Sequence, residues 1–386
     1  MPPIRHIVYE CLPGAYAGGV QKLVFELASA QRRLGADVEI WTPNALRAGA
    51  TEIFDELPIR YFAANPLLGL ARSFRLKQEI ATLPKTAILH AHNTFNPLNL
   101  QVGKAAAEHG LKAFYHPHCA LDPALFADWS PKSLKKRLYI RALSGPNLNC
   151  SAGVFALTPL ERDQLISLGI TAPIHVVPNG IRPVAVASPE QGLALRRRHG
   201  LDASDRVMLF IGRITSKKRL EDIIQALSLL GASAPHLFIA GTPKAESAYG
   251  EKLFRIVREC GCAARVHWLG FLDEAAKSAA YAAADVFIHA SESEGMALAI
   301  LEAMSAGLPV VATHGCYMTE AASSHALVQC EQGAAALAAA AGPLLADPIR
   351  ARAQGLAGQV HAHRVHDWEA LARATLRLYA EAKPRA

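Results

Sequence analysis

The stretch Ser291–Thr313, SESEGMALAILEAMSAGLPVVAT, constrains the fold of this chain more than any other part of it. After the polar loop Ser291–Gly295, the run Ala297–Ala306 reads as a helix, stopped by Gly307 and followed by Pro309 and a β-branched strand start. At about 100° per residue, Leu298, Leu301, Glu302 and Ser305 share one side. Ala299, Ile300, Ala303 and Met304 cover the rest, so the helix has no polar face and is predicted to be largely buried. Glu302 is then a carboxylate in a core element. An unpaired buried charge costs several kcal/mol, so Glu302 is expected at a cleft edge or against a donor such as a hydroxyl group. Glu294 stands just before the helix, in the loop that presents its first free backbone N–H groups, a ready anion site. The local pattern alone also allows a helix-start acid and one snorkelling glutamate.

The rest of the chain repeats a strand-then-helix alternation. Ile4–Glu10 is a short apolar strand; after Gly18-Gly19, Val20, Leu23, Val24, Leu27, Ala28 and Leu34 keep helical spacing, and Val38, Ile40 and Trp41 begin a second strand. The paired glycines either let the backbone approach a ligand or make a tight turn. Ala87–His92 is a strand ending in two histidines, and Lys112–Tyr115 runs into HPHCALDP. By spacing, His90, His92, His116 and His118 form no metal set. Val154–Leu157 and Pro159–Leu168 close the first half, and Asn179-Gly180 is turn chemistry after a buried strand. The second half restarts with Val207–Gly212. Ser216 is a plausible N-cap that puts Lys217, Lys218 and Arg219 in a first helical turn, where cations oppose the helix dipole and imply a nearby anion. The final segment has helical spacing at Trp368, Leu371, Ala372, Leu376 and Tyr379.

With 386 residues, 51% hydrophobic and 19% charged, the chain can bury two α/β cores, which excludes a disordered protein. The apolar run after Met1 is broken by Pro13 and Gly14 too early for a signal sequence. No uncharged apolar stretch reaches membrane-spanning length, and the Ala-rich run Gly333–Leu345, interrupted by Gly342 and Pro343, reads as a surface-packed helix. Seven scattered cysteines, with Cys260-Gly261-Cys262 outside zinc or redox spacing, suit a reducing cytosol. Of the net charge of +7, residues 1–182 carry +6, with 19 Lys+Arg against 13 Asp+Glu, and the remainder +1, with 21 against 20. Within residues 1–182, Pro131–Leu143 is a basic amphipathic segment carrying Lys132, Lys135, Lys136, Arg137 and Arg141, open to two readings: a solvated helix face or a contact with an anionic membrane surface.

Glu294 and Glu302 with the flanking EAMSAGLPVVAT resemble the E-x7-E signature of retaining GT-B glycosyltransferases, especially glycosyltransferase family four. The opening GGV…L…L…G.DV.I.T, the segment PHCALDP, the interdomain VVPNGI and GRITSKKR resemble further motifs of that family, so the likeness spans nearly the whole chain. It departs from the family at Ala36 (usually His), Cys119 (Gly), Arg219 (Gly) and Ala297 (Gly). The resemblance implies an α/β fold of two Rossmann-like domains facing across a cleft, with the C-terminal helix crossing back. Residues 1–182 would bind acceptor, 183–365 the nucleotide sugar, and 366–386 would form the returning helix. It implies that Gly18 and Gly19 lie beside the donor phosphates. Arg213 and Lys218 would hold the diphosphate, Glu294 the transferred sugar's hydroxyls, Glu302 the ribose, and His118 would position sugar or acceptor. Asn179, Gly241, Gly295, Met296, Ala297 and Leu298 complete the donor-binding set.

No Asp-x-Asp occurs, so fixed cations and amides rather than a metal are expected to neutralise the leaving diphosphate, and neither metal nor cofactor is expected. The implied activity is retaining transfer of a hexose from a nucleotide-diphosphate sugar to a glycan or lipid-linked acceptor in cell-surface polysaccharide synthesis. The implied location is the cytoplasm, with a peripheral membrane contact and no nucleic-acid partner. A nucleotide-sugar epimerase of the same fold is the alternative. A nicotinamide dehydrogenase would need G-x-G-x-x-G between strand and helix, which neither half has.

Overall fold

The computed structural model describes residues 2–11, 19–63, 73–231, 234–242 and 248–383. The chain divides into two compact units, Met1–Gly180 with Asp367–Ala386, and Ile181–His366.

Among the described residues, the first unit carries an eight-stranded sheet. Its strands are β1 (Ile4–Ile7), β2 (Val38–Pro43), β3 (Thr51–Phe54), β4 (Leu57–Phe62), β5 (Ile88–His92), β6 (Lys112–His116), β7 (Gly153–Ala156) and β8 (Ile174–Val176), in the order β3-β4-β2-β1-β5-β6-β7-β8. Only β3 runs antiparallel to its neighbour. The β3–β4 hairpin turns through Asp55 and Glu56, both left-handed at φ 46° and 63°. Such a turn ordinarily announces itself with Asn-Gly, and two acids give no such signal. One sheet face packs Ile7, Leu89, Ala91 and Tyr115 against Leu98 and Val102 of the helix Pro97–His109. Successive strand residues point to opposite faces. The other face therefore carries His6, His90, His92 and His116, brought together because His6 is in register with His90 and His92 with His116.

The helix Trp368–Glu381 packs on the helix Gly19–Arg33, burying Trp368, Leu371, Ala372, Thr375 and Tyr379. Asp367 caps it, accepting from Ala370 N at 2.8 Å. Asn179-Gly180 is not a turn: the segment is irregular, and Gly180 lacks a positive φ. Glycine is required there because a Cβ would lie 2.3 Å from the Trp368 ring.

In the second unit, β9 (Val207–Ile211), β10 (His236–Ala240), β11 (Val266–Gly270), β12 (Val286–His289), β13 (Val310–Thr313) and β14 (Val328–Cys330) form a parallel sheet in the order β11-β10-β9-β12-β13-β14. Met208, Phe210, Ile223, Leu237, Ile239, Val286, Ile288 and Leu337 are among its core residues. The Ala-rich helix Ala334–Ala346 runs on through Pro343 and buries Leu337, Leu344 and Leu345. The helix Leu298–Ser305 is buried from Ile300 to Ser305, as its lack of a polar face predicts. Strand order reverses between β9 and β12. In open parallel sheets ligands bind at the carboxyl ends of the strands at such a reversal. No helix among the described residues is long and apolar enough to cross a membrane.

Candidate active site

The loops leaving β9 and β12 meet at the reversal in the second unit. After β9 the chain makes a short 3-10 turn, Ser216–Lys218, and Arg219 adopts the left-handed conformation at φ 49° before the helix Leu220–Leu229 begins. Ser216 is therefore not the cap of that helix, and Lys217 and Lys218 precede it instead of occupying its first turn. A left-handed residue suits glycine. Here Arg219 takes the position and its guanidinium forks onto Asp222 at 3.0 and 3.1 Å.

Glu292 N donates to Lys217 O at 2.9 Å, tying the two loops together. Across this junction the Lys218 ammonium pairs with the Glu294 carboxylate. Ser291 Oγ donates to the same carboxylate oxygen at 3.0 Å. Burial pushes the Glu294 carboxyl up, but Lys218 and Ser291 outweigh it and hold it below its ordinary value. His289, buried beside the pair, is pushed down to about 3 by burial and by Lys218. Glu294 N donates to Gly315 O at 2.8 Å, and Ser291 O accepts from Thr313 Oγ1 at 2.9 Å and Gln332 Nε2 at 2.8 Å, so the loop is held from beneath. Met296 is left-handed at φ 55°, Ala297 is extended, and the helix Leu298–Ser305 starts with no side-chain cap on its amides.

Arg213 lies exposed in the loop after β9 and forms no ion pair among the described residues. Gly241 follows β10 at φ 140°, and a Cβ on it would sit 2.1 Å from Gly212 O, so only glycine lets this loop close on the β9 loop. Glu302 is 7% exposed, and its carboxylate accepts from Tyr281 OH at 3.0 Å and pairs with Lys277 at 3.3 Å. The expected hydroxyl donor is thus a tyrosine of this chain, with a lysine that sequence reasoning missed. Lys277 and Tyr281 share one face of the helix Glu274–Ala283 at i, i+4 spacing, which is the signal that could have found them.

In the first unit Gly18 lies outside the described residues, and Gly19 is the exposed first residue of the helix Gly19–Arg33. His118 and Cys119 are both left-handed, at φ 54° and 56°. Cys119, standing where the family usually has glycine, thus adopts a left-handed conformation that suits glycine. The loop is held by Glu161, whose buried carboxylate accepts from Cys119 N and Leu157 N, each at 2.6 Å. Burial raises the Glu161 carboxyl above its ordinary value despite these amides. His118, His92, His116 and buried Asn179 line one cavity with Leu23 and Trp368. Spacing showed no metal set here. Sheet register nevertheless brings ring nitrogens of His92, His116 and His118, and of His6, His90 and His92, within 4.8 Å of one another.

Two units built on mainly parallel sheets are the architecture of the GT-B class. Residues 193–360 match the model of the glycosyl transferases group 1 family, and residues 18–180 that of the glycosyl transferase 4-like domain. The chain belongs to the group 1 glycosyltransferases, and it is a nucleotide-sugar-dependent enzyme. It is 28% identical to a D-inositol 3-phosphate glycosyltransferase of Xylanimonas cellulosilytica, over 96% of this chain and 93% of that one. It is 27% identical to the protein of that name from Kineococcus radiotolerans, over 95% and 91%. Among solved structures it resembles sucrose-phosphate synthase of Thermosynechococcus elongatus, with a TM-score of 0.80 at 21% identity, covering 99% of both chains. Anabaena HepE in complex with UDP and glucose follows at 0.78 and 19% identity, covering 98% of this chain and all of that one.

Proposed function

We propose that this enzyme is a retaining, metal-independent hexosyltransferase that moves a sugar from a nucleoside-diphosphate donor to a glycan or lipid-linked acceptor in cell-surface polysaccharide synthesis. The Lys218–Glu294 pair at the β9–β12 reversal supports the reading most directly. In transfer the bond from the anomeric carbon to the diphosphate breaks, a bond to an acceptor oxygen forms, and the acceptor proton leaves with the diphosphate. Negative charge grows on the leaving group. Lys218, Arg213 and the amides opening the helix Leu298–Ser305 are suited to it: charge-assisted hydrogen bonds stabilise by about 1.5–3 kcal/mol each, and a helix end by about 0.3–2 kcal/mol. Glu294 would then accept from hydroxyls of the transferred sugar, Glu302 from the ribose, and His118 would position the sugar. Gly19, Asn179, Gly241, Gly295, Met296, Ala297 and Leu298 are proposed to line the donor.

The acceptor reading draws on the helix Pro131–Tyr139. Trp129, Leu134 and Leu138 are exposed beside Lys132, Lys135 and Lys136, a combination suited to an anionic lipid surface.

The test is incubation with UDP-, GDP- and ADP-sugars, with and without acceptors. The panel includes UDP-glucose and D-inositol 3-phosphate, which the similar proteins' names bring in. Anomer-retaining transfer that persists in EDTA is the expected result. Loss of transfer on chelation overturns the metal-independent mechanism, and donor conversion without any acceptor overturns transfer itself.

A further inference from the structure

The proposed mechanism uses only one of five clustered histidines. His118 Nε2 lies 3.1 Å from His92 Nδ1, His92 Nε2 lies 3.0 Å from His6 Nδ1, and His6 Nε2 lies 2.8 Å from Gln31 Oε1. In the two histidine pairs the ring planes differ by only 24° and 20°, and the centroids are 5.3 Å apart in each. That separation results when near-coplanar rings meet nitrogen to nitrogen, because both ring radii add to the N···N distance. These are in-line hydrogen bonds.

Their direction is fixed from the Gln31 end. Thr375 Oγ1 donates to Ala372 O at 2.9 Å, so its 2.9 Å contact with Gln31 must receive an N–H from Gln31 Nε2. Gln31 Oε1 therefore faces His6 as an acceptor. A neutral imidazole carries one N–H. His6 Nε2 must hold it, which leaves His6 Nδ1 to accept from His92 Nε2–H and His92 Nδ1 to accept from His118 Nε2–H. The proton arrangement ends on His118 Nδ1, a bare lone pair that is buried and has no partner among the described residues.

We propose that Gln31, His6 and His92 are positioning residues whose polarised chain locks His118 in the neutral Nε2–H tautomer and presents its Nδ1 as an acceptor to a substrate hydroxyl. The lock follows from this chain's own geometry; the hydroxyl rests on the reading of His118 given under the proposed function. A neutral hydroxyl fits such a lone pair, and a carboxylate or phosphate oxygen in its place would be repelled. The chain does not conduct protons, because the Gln31 amide cannot take one up. Burial, shared with His90 and His116, pushes His118 down to about 3 and His6 to about 4, so both stay neutral near pH 7. A metal held by His92, His116 and His118 fits the geometry less well. His116 and His118 stack face to face, 3.9 Å apart and inclined 13°, so a cation in the plane of one ring lies out of the plane of the other.

The full-length protein labelled with 15N-histidine tests this by long-range 1H–15N correlation at pH 7, with His118→Ala identifying the His118 signals. Wild type is expected to show His118 as Nε2–H with an unprotonated Nδ1. Gln31→Met keeps the chain length but removes the acceptor. It is expected to populate the other His118 tautomer and to lower kcat/KM for sugar transfer about tenfold. Gln31→Glu retains an acceptor oxygen and is expected to keep the wild-type tautomer. An Nδ1–H His118 in wild type, an unchanged tautomer in Gln31→Met, or stoichiometric zinc whose removal shifts these signals overturns the lock. If the tautomer responds as stated but His118→Ala leaves transfer intact, the lock stands and the substrate-facing role fails.

Discussion

Lys218 and Glu294, 76 positions apart in sequence, form an ion pair that joins the loops leaving two adjacent parallel strands, with side chains 11% and 26% exposed. The pair neutralises a lysine that stands where the diphosphate is proposed to bind. It also makes Glu294 depend on Lys218 for its charge.

That dependence sets a pH signature. In the native protein Glu294 ionises below its ordinary value of 4.5, so its contribution to stability is complete above that value and is lost as pH falls through the lower folded one. In Lys218→Met burial is opposed only by His289 and Ser291, and the carboxyl is expected to rise above its ordinary value. The variant's Glu294 then favours folding at acid pH and opposes it as pH rises through the raised value. Denaturant melts are expected to show a gap between the two proteins that is small near pH 4 and grows to about 1–3 kcal/mol at pH 7. A gap independent of pH would contradict the pairing.

Lys218→Ala and Glu302→Ala are each expected to cut sugar transfer strongly while circular dichroism stays native. A tenfold or greater fall in kcat/KM corresponds to about 1.4 kcal/mol or more of lost transition-state stabilisation. For Glu302 the variant also leaves the buried Tyr281 hydroxyl without its acceptor, so some loss of melting temperature accompanies it. Near-normal turnover in both variants on the true substrates would remove the assigned roles.

Gly180→Ala drives a methyl group into the indole of Trp368 and is expected to cost about 1–3 kcal/mol of unfolding free energy. Trp368→Leu should make room for it, so the double variant is expected to lose less than the two single losses combined. Strict additivity in a denaturant double-mutant cycle would argue against the contact.

Vesicles carrying anionic lipid are expected to bind the protein in low salt and release it as salt rises, each cation near the surface being worth about 1 kcal/mol. Replacing Lys132, Lys135 and Lys136 by glutamine should weaken that binding, read by sedimentation with vesicles. Equal sedimentation of wild type and variant would count against the lipid surface.

Local pattern determined a great deal about this protein. Short buried runs alternating with helical spacing set the α/β class, an all-apolar periodicity placed Leu298–Ser305 in a core, and PHCALDP, GRITSKKR and the spaced glutamates pointed to the sugar-transfer family. All of these signals lie within a window of a few turns, where side-chain direction follows from 2.0- or 3.6-residue periods. Tertiary structure alone decided which strands are neighbours. Residues 6, 90, 92, 116 and 118 become one hydrogen-bonded group only because β1, β5 and β6 lie side by side in a given register. Glu302 meets Lys277 and Tyr281, and Lys218 meets Glu294, through the same kind of long-range placement. Burial then keeps the clustered histidines neutral, because it is the packed sheet and helices that exclude water from around them.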